Sequence, residues 1–335
     1  MRMFGRIILT VVTASLASTA WAGSPGRTGT SGALELLLPT DARGVAMGGS
    51  VMAESQGARS WFWNPAGAAD LIDNEITVSH RGYIADMTLS HFAYARDAGD
   101  LGVIGLSAKI LSSGDEAVYT TAQPDGTGET WSASYVVVGL SYARTLTDRV
   151  SFGLNGHYIA EEIYRETAQG LAFDIGFIYR PAARGLSLGV AIKNYGPKMS
   201  FDGPDFELPQ NADGSTDDQA VSTLPASFEL PSFIQFGVAW DAWHRSNQNL
   251  RLVGAFQANN FSEDEYRVGG EWSIANQLFL RSGYAATSQT GYPFGFSAGA
   301  GVRIPLGDAV THVDYAWCDA GVFGDNHLFT ISLAF

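Results

Sequence analysis

The stretch "LAFDIGFIYR", Leu171 to Arg180, decides the fold. Leu171, Phe173, Ile175, Phe177 and Tyr179 share one side of an extended chain, while Ala172, Asp174, Gly176 and Arg180 share the other. Side chains of a strand point alternately to opposite faces, so a period of two makes a ribbon with one apolar face and one small or polar face. The pattern recurs. In Val150–Tyr158, Val150, Phe152, Leu154 and Tyr158 oppose Ser151, Gly153, Asn155 and His157. Phe294, Phe296, Ala298, Ala300, Val302 and Ile304 oppose Gly295, Ser297, Gly299, Gly301 and Arg303. At the end of the chain, Phe329, Ile331, Leu333 and Phe335 oppose Thr330, Ser332 and Ala334.

Alternation alone also describes a soluble sandwich. Connection lengths separate the two. Candidate strands fall near 75–83, 87–96, 101–110, 130–144, 150–160, 170–180, 186–195, 232–242, 249–259, 265–273, 278–286, 294–304, 310–318 and 327–335. Most are roughly ten residues long, the length of a tilted membrane strand. Every second connection is short: "DAGD" (97–100), "LTDR" (146–149), "PAARG" (181–185), "WHRSNQ" (243–248), "IANQ" (274–277) and "PLGD" (305–308). The longer ones fall between them. Short turns on one rim and longer loops on the other are the habit of an outer-membrane barrel with both termini in the periplasm. Lipid offers no partner to backbone N–H and C=O groups, so strands cross a membrane only as a closed ring. The expected fold is therefore all-β: a transmembrane antiparallel β-barrel of about 14 strands over residues 75–335, with an N-terminal segment, residues 23–74, as a hatch in a lumen lined by small residues.

Residues 1–22 read as a secretory signal. Arg2 and Arg6 precede the short apolar run Ile7–Ala17, and Ala20-Trp21-Ala22 has the small-x-small form of a cleavage site. The net charge of −14 grows more negative once Arg2 and Arg6 leave, which disfavours a nucleic-acid partner. Cys318 is the one cysteine, so no internal disulfide forms, and no Cys/His spacing points to a metal or any other cofactor. His80, His91, His157, His244, His312 and His327 are scattered, without a Gly-x-Ser-x-Gly elbow or a His-Glu-x-x-His pair, so no enzyme activity is expected. The acidic run 202–218 carries six carboxylates, but its spacing is not that of a calcium loop. It reads as a solvated surface loop.

"DARGVAMGGSVMAESQGARSWFWNPAG", Asp41 to Gly67, is too interrupted by glycine for one long helix and has no strand of barrel length. Gly48 and Gly49 break it once. Asn64-Pro65-Ala66-Gly67 breaks it again: proline fixes its own φ and pushes Asn64 toward extended backbone, so these four residues suit a fixed reversal, a hatch turn. Trp61, Phe62 and Trp63 are placed to pack on the inner wall or to line an apolar pocket. Together with "SWFWNPAGAADL", "IKNYGPKMSF" (192–201), "LPASFELPSFIQFGVAW" (224–240) and "DYAWCDAGVFGDNHLFTISLAF" (314–335), this segment resembles the PorV/PorQ family of outer-membrane proteins, within the broader FadL-like group. The resemblance spans nearly all of the chain after residue 22. It implies a fourteen-stranded FadL-like barrel with an N-terminal hatch.

Two functions follow from the resemblance. PorV-like and PorQ-like members are associated with type IX secretion, as carriers of secreted proteins or parts of a surface attachment assembly, so secreted proteins or secretion-system subunits are expected partners. The alternative is a FadL-like transporter of hydrophobic small molecules. Outer-membrane lipid surrounds either. Phe329, Ile331, Leu333 and Phe335, closing the last strand, resemble the signal read by the barrel-assembly machinery. Deleting Phe335 is therefore expected to lower the amount of heat-modifiable protein in the outer-membrane fraction, whereas Phe335→Tyr keeps it; wild-type levels after deletion would contradict this assignment.

Overall fold

The computed structural model describes residues 25–335 apart from 184, 212–217, 223–224 and 289–294. The signal read at residues 1–22 and the position of Phe294 lie outside the described residues. Fourteen strands form the wall: β1 (Asn74–Gly82), β2 (Thr88–Asp97), β3 (Val103–Ser112), β4 (Ala133–Thr147), β5 (Val150–Ile163), β6 (Glu166–Tyr179), β7 (Leu186–Tyr195), β8 (Phe233–Arg245), β9 (Gln248–Asn259), β10 (Glu265–Ile274), β11 (Leu278–Thr287), β12 (Phe296–Leu306), β13 (Ala309–Asp319) and β14 (Asp325–Ala334). Each pairs antiparallel with the next. The ring closes where β1 meets β14, with Ile76 opposite Leu333 and Val78 opposite Ile331. Beyond the last strand, Asn74 and Phe335 exchange both backbone hydrogen bonds, at 3.0 and 2.9 Å. No edge is left among these strands.

The burial pattern is inside out by the standard of a water-soluble protein. On β6, Phe173 is 50 % exposed while its neighbour Asp174 is 0 % exposed. Val78, Leu140, Phe236, Val268 and Ile331 are likewise exposed, while Asn155, Arg281 and Asp314 are buried. Apolar side chains facing out and polar ones facing in are stable only when hydrocarbon surrounds the wall. The wall strands are those expected from the sequence, with boundaries moved by two to four residues at β3, β4, β5, β6, β8, β12 and β14, the most at β6, which begins at Glu166 where 170 is expected. Gly102, at φ 97, still belongs to the turn before β3. A small hairpin, Glu116–Ala117 with Thr130–Trp131, takes up the residues before β4.

The connections sort onto two rims. The turns after β2, β4, β6, β8, β10 and β12 are short and lie at the same end as Asn74 and Phe335. The longest connection, 196–232, lies at the opposite rim. It carries a hairpin, Glu207–Asn211 with Asp218–Ser222, and lends Phe201 and Asp202 as a short extra partner to β6. Where β6 meets β7 the register slips between Phe173 and Ile175.

Candidate functional site

The residues before β1 fold into short pieces, α1 (Ala42–Ala46), α2 (Ser60–Trp63) and 3-10 turns at Leu34–Leu37, Gly57–Arg59 and Pro65–Asp70. All of them contact the inward face of the wall. Asp41 caps α1, its carboxylate accepting the Gly44 N–H at 3.2 Å, and also accepts the Trp63 indole N–H. One carboxylate thus ties α1 to α2.

Asn64 is extended, at φ −157 and ψ 110, and its Oδ1 accepts the Ala66 N–H at 3.1 Å. Its Nδ2 donates to the Phe177 carbonyl of β6. This turn presses into a dent made by glycines of the wall: a Cβ at Gly153 would lie 2.3 Å from the Pro65 carbonyl carbon, and one at Gly176 would lie 2.0 Å from Asn64 Oδ1. Gly67 has the Ser55 carbonyl in the place of a Cβ, at 2.0 Å. Ala66 is buried between them. On the other side of the lumen, Gly48 and Gly49 have φ of 66 and 71, a region L side chains avoid. There the backbone passes so close to the wall that a Cβ at Gly283 would meet the Gly48 nitrogen at 2.1 Å. The small residues on the inward face are what let one backbone lie on another.

The aromatics take different roles. Trp61 is 1 % exposed, packs on Gly105 and donates to the Tyr94 carbonyl at 3.2 Å. It points away from the main cavity. Trp63 packs with Met47, Met52 and Val253, and Phe62 stands edge-on to it at 4.8 Å. The Lys109 and Lys193 ammonium groups lie 5.1 and 4.6 Å from the Phe62 ring centre. Lys193 also donates to the Phe62 carbonyl, and Lys109 to the Glu35 carbonyl at 2.7 Å.

A run of alternating charge crosses the lumen nearer the short turns. Asp241 of β8 accepts from Arg251 of β9 at 2.7 Å, and Arg251 reaches Glu54 at 3.0 Å. Glu54 receives both Nη groups of Arg43, at 2.6 and 2.9 Å, and Arg43 also holds Glu271 of β10 at 2.9 Å. Glu271 accepts from Arg281 of β11 at 2.6 Å, Arg281 donates to Asp314 of β13 at 2.6 Å, and Asp314 receives Arg59 at 3.3 Å. Arg59 ends on Ser332 of β14. Four carboxylates and four guanidiniums alternate, and Arg43, Glu54 and Arg59 among them come from the N-terminal segment. Burial works against the Arg43 charge, yet Glu271 and Glu54 hold its guanidinium well above its ordinary value. Asp174 anchors a second cluster, accepting from His157 at 2.9 Å, Asn155 at 3.1 Å and the Asn194 N–H at 2.8 Å, with Lys193 at 3.5 Å.

Nearer the long-loop rim a cavity of about 400 Å³ opens between segment and wall. Leu34, Leu37, Val45, Phe62, Trp63 and Phe233 give it an apolar lining; Arg81, Lys193, Gln235, Gln257 and Arg267 add polar groups. A lesser void of about 30 Å³ lies beside Trp61, His91, Lys109 and His157. Of the residues the sequence marks out, Gly48, Gly49, Phe62 and Trp63 line the larger cavity and Trp61 and Phe62 the lesser void, whereas Asn64–Gly67 line neither and no motif marks the wall residues of either. A signal existed: Arg81, Lys109, Lys193, Glu271, Arg281 and Asp314 all sit on the small-residue face of amphipathic strands, where a charge in a lipid-surrounded wall points inward.

The class is thereby defined: an outer-membrane β-barrel of fourteen antiparallel strands. The chain belongs to the PorV family, whose sequence model, described as type IX secretion system protein PorV, matches residues 23–216. No curated protein sequence matches the chain. Similar solved structures include the toluene transporter TodX of Pseudomonas putida, 12 % identical with a TM-score of 0.54 over 89 % of this chain and 97 % of that one. The monoaromatic hydrocarbon channel CymD is 12 % identical, with a TM-score of 0.55 over 89 % and 97 %. A Pseudomonas aeruginosa FadL homologue is 13 % identical, with a TM-score of 0.54 over 88 % and 98 %. At such identities the likeness concerns the fold.

Removing one charge from the middle of the alternating run leaves each of its buried partners with one counter-charge in place of two. Glu271→Gln leaves Arg43 with Glu54 alone and Arg281 with Asp314 alone, and is expected to lower barrel stability by roughly 3 kcal/mol in urea unfolding followed by heat-modifiable migration. A change within about 0.5 kcal/mol of wild type, the range of ordinary surface substitutions, would mean that the ladder does not hold the segment.

Proposed function

We propose that this barrel is a type IX secretion-associated carrier or scaffold that holds secreted or surface proteins on its long-loop rim. The observation that carries the reading is the obstructed lumen. With the N-terminal segment acting as a hatch, clamped by the charge ladder on one side and by the Asn64–Gly67 turn on the other, the surface left for a macromolecule is the rim of long loops. Membership of the PorV family supports the same reading. The long-loop rim then faces outward, with the short turns and Phe335 on the periplasmic side; the expectation that the N-terminus joins them is not met by the first described residues, because Ser31 and Gly32 pair with Glu229 of connection 196–232 at the long-loop rim. Connections 113–132 and 196–232, each carrying its own small hairpin, supply the docking surface: loops freed from pairing on a rigid scaffold are where recognition concentrates.

Passage of hydrophobic small molecules has the apolar cavity and the shared fold in its favour. Against it stands the ladder, because a hydrophobe leaving the cavity toward the short turns meets buried ion pairs whose opening is costly. The test is a mild-detergent pull-down from the native membrane with the full chain and with a variant in which 207–222 is replaced by a short Gly/Ser linker. Recovery of secreted partner proteins is expected to fall about tenfold in the variant, equivalent to roughly 1.4 kcal/mol of docking energy, with heat-modifiable migration retained. Undiminished recovery, or no protein partner at all, overturns the reading.

A further inference from the structure

The long connection and the start of the chain are joined through one residue pair, Phe228 and Glu229. Met199 and Phe228 exchange both backbone hydrogen bonds, at 3.0 and 2.8 Å, and Glu229 forms a parallel bridge with Ser31, its carbonyl accepting the Gly32 N–H at 3.2 Å. Two residues of the connection thus lie as a short strand between Met199 and the N-terminal segment. The Glu229 carboxylate also receives Arg27 and, at 3.3 Å, Lys198. These three side chains are 36–59 % exposed, and ion pairs so open to water add little. The apolar contacts add more. A Cβ at Gly32 would lie 2.3 Å from the Phe228 ring. Ala33 and Leu36 share one buried cluster with Met199 and Leu230 of the connection and with Val137 and Ile159 of the wall. Deeper in, the Leu36 and Leu38 amides donate to the Ala33 and Glu35 carbonyls at 3.1 Å, and Lys109 of β3 holds the Glu35 carbonyl. The contacts therefore run unbroken from the rim into the lumen.

We propose that Phe228, Glu229 and residues 27–38 form a single coupling element, through which a protein seated on the long connection shifts the N-terminal segment inside the lumen. It rests on the reading of that rim as a docking surface and adds the route by which docking is felt inside the barrel. Two features make these residues move as a unit. Close-packed neighbours transmit a displacement rather than absorb it. Ala33 is held left-handed, at φ 52 and ψ 40, a conformation that an L residue keeps only while its surroundings impose it. Pulling Phe228 away removes part of what imposes it, so the turn that follows Ala33 is poised to rearrange. Coupling between two sites is reciprocal: what loosens the segment at Gly32 loosens the connection, and the converse holds.

The test is amide hydrogen exchange, read by mass spectrometry on the purified full-length barrel with no partner present. Gly32→Val alters the segment alone and drives it off the Phe228 ring. The Met199 and Phe228 amides, which bond to each other and not to the segment, are expected to exchange about fivefold faster or more, the lower end of coupling between linked sites. Phe228→Ala alters the connection alone and is expected to speed exchange at Leu36 and Leu38 by a similar factor. In both variants the amides of α2 and of the Pro65–Asp70 turn stay at wild-type rates, because they are seated on a different part of the wall. Heat-modifiable migration confirms that each variant is folded; should Gly32→Val fail to insert, Phe228→Ala and the milder Phe228→Leu decide. Faster exchange confined to the side that carries the substitution overturns the proposal. A pull-down that recovers no partner tells against docking, whereas an exchange change confined to one side tells against the coupling element, so the two failures are distinct.

Discussion

Charge placed inside a lipid-surrounded wall has to be answered inside that wall, and here it is answered by the chain's own N-terminal segment. Asp241, Arg251, Glu54, Arg43, Glu271, Arg281, Asp314 and Arg59 alternate in sign across the lumen. Remove the segment and Glu271 loses Arg43, Asp314 loses Arg59, and Arg251 loses Glu54. A partly broken buried network is worse than none. The segment is thus bound into the electrostatics of the barrel, and the barrel can hold these charges because the segment is there.

The close packing that accompanies the charges has an equally simple origin. Gly153, Gly269 and Gly283 put no side chain on the inward face where the segment's backbone arrives, and Gly176 none where the Asn64 side chain arrives. Outward, the same strands carry Leu154, Phe177, Val268 and Tyr284, exposed to the surrounding lipid. One period of two therefore does two tasks: large side chains for the membrane and bare backbone for the segment.

This division explains which features were legible in the sequence. Strand number, wall position and rim parity could be read because lipid imposes its period residue by residue, as in Leu171–Tyr179 and Phe329–Phe335. Asn64 before Pro65 is a local constraint and was equally readable. The ladder was not, since Arg43 and Glu271 lie 228 positions apart and only the closed ring brings them together. Trp61 and Trp63 illustrate the limit further: two similar residues, two positions apart, end on different walls of the lumen. Arg81 could be seen to face inward, but that no carboxylate among the described residues pairs with it is visible only in three dimensions.

For function, the result is a barrel with two unlike ends. Ion pairs fill the lumen toward the short turns, and a cavity with apolar walls opens toward the long loops. Everything rests on the segment lying where the wall glycines receive it, and a crosslink measures that directly. The Cβ position at Gly237 is 3.4 Å from the Ala53 Cβ, next to the range of about 3.5–4.5 Å found in disulfides. In a Cys318→Ser background, Ala53→Cys combined with Gly237→Cys is expected to give a disulfide in nearly every molecule of the membrane-inserted barrel, seen as a mobility shift reversed by reductant. A heat-modifiable barrel in which both thiols stay free and react with maleimide would show that the segment does not occupy the lumen in this position.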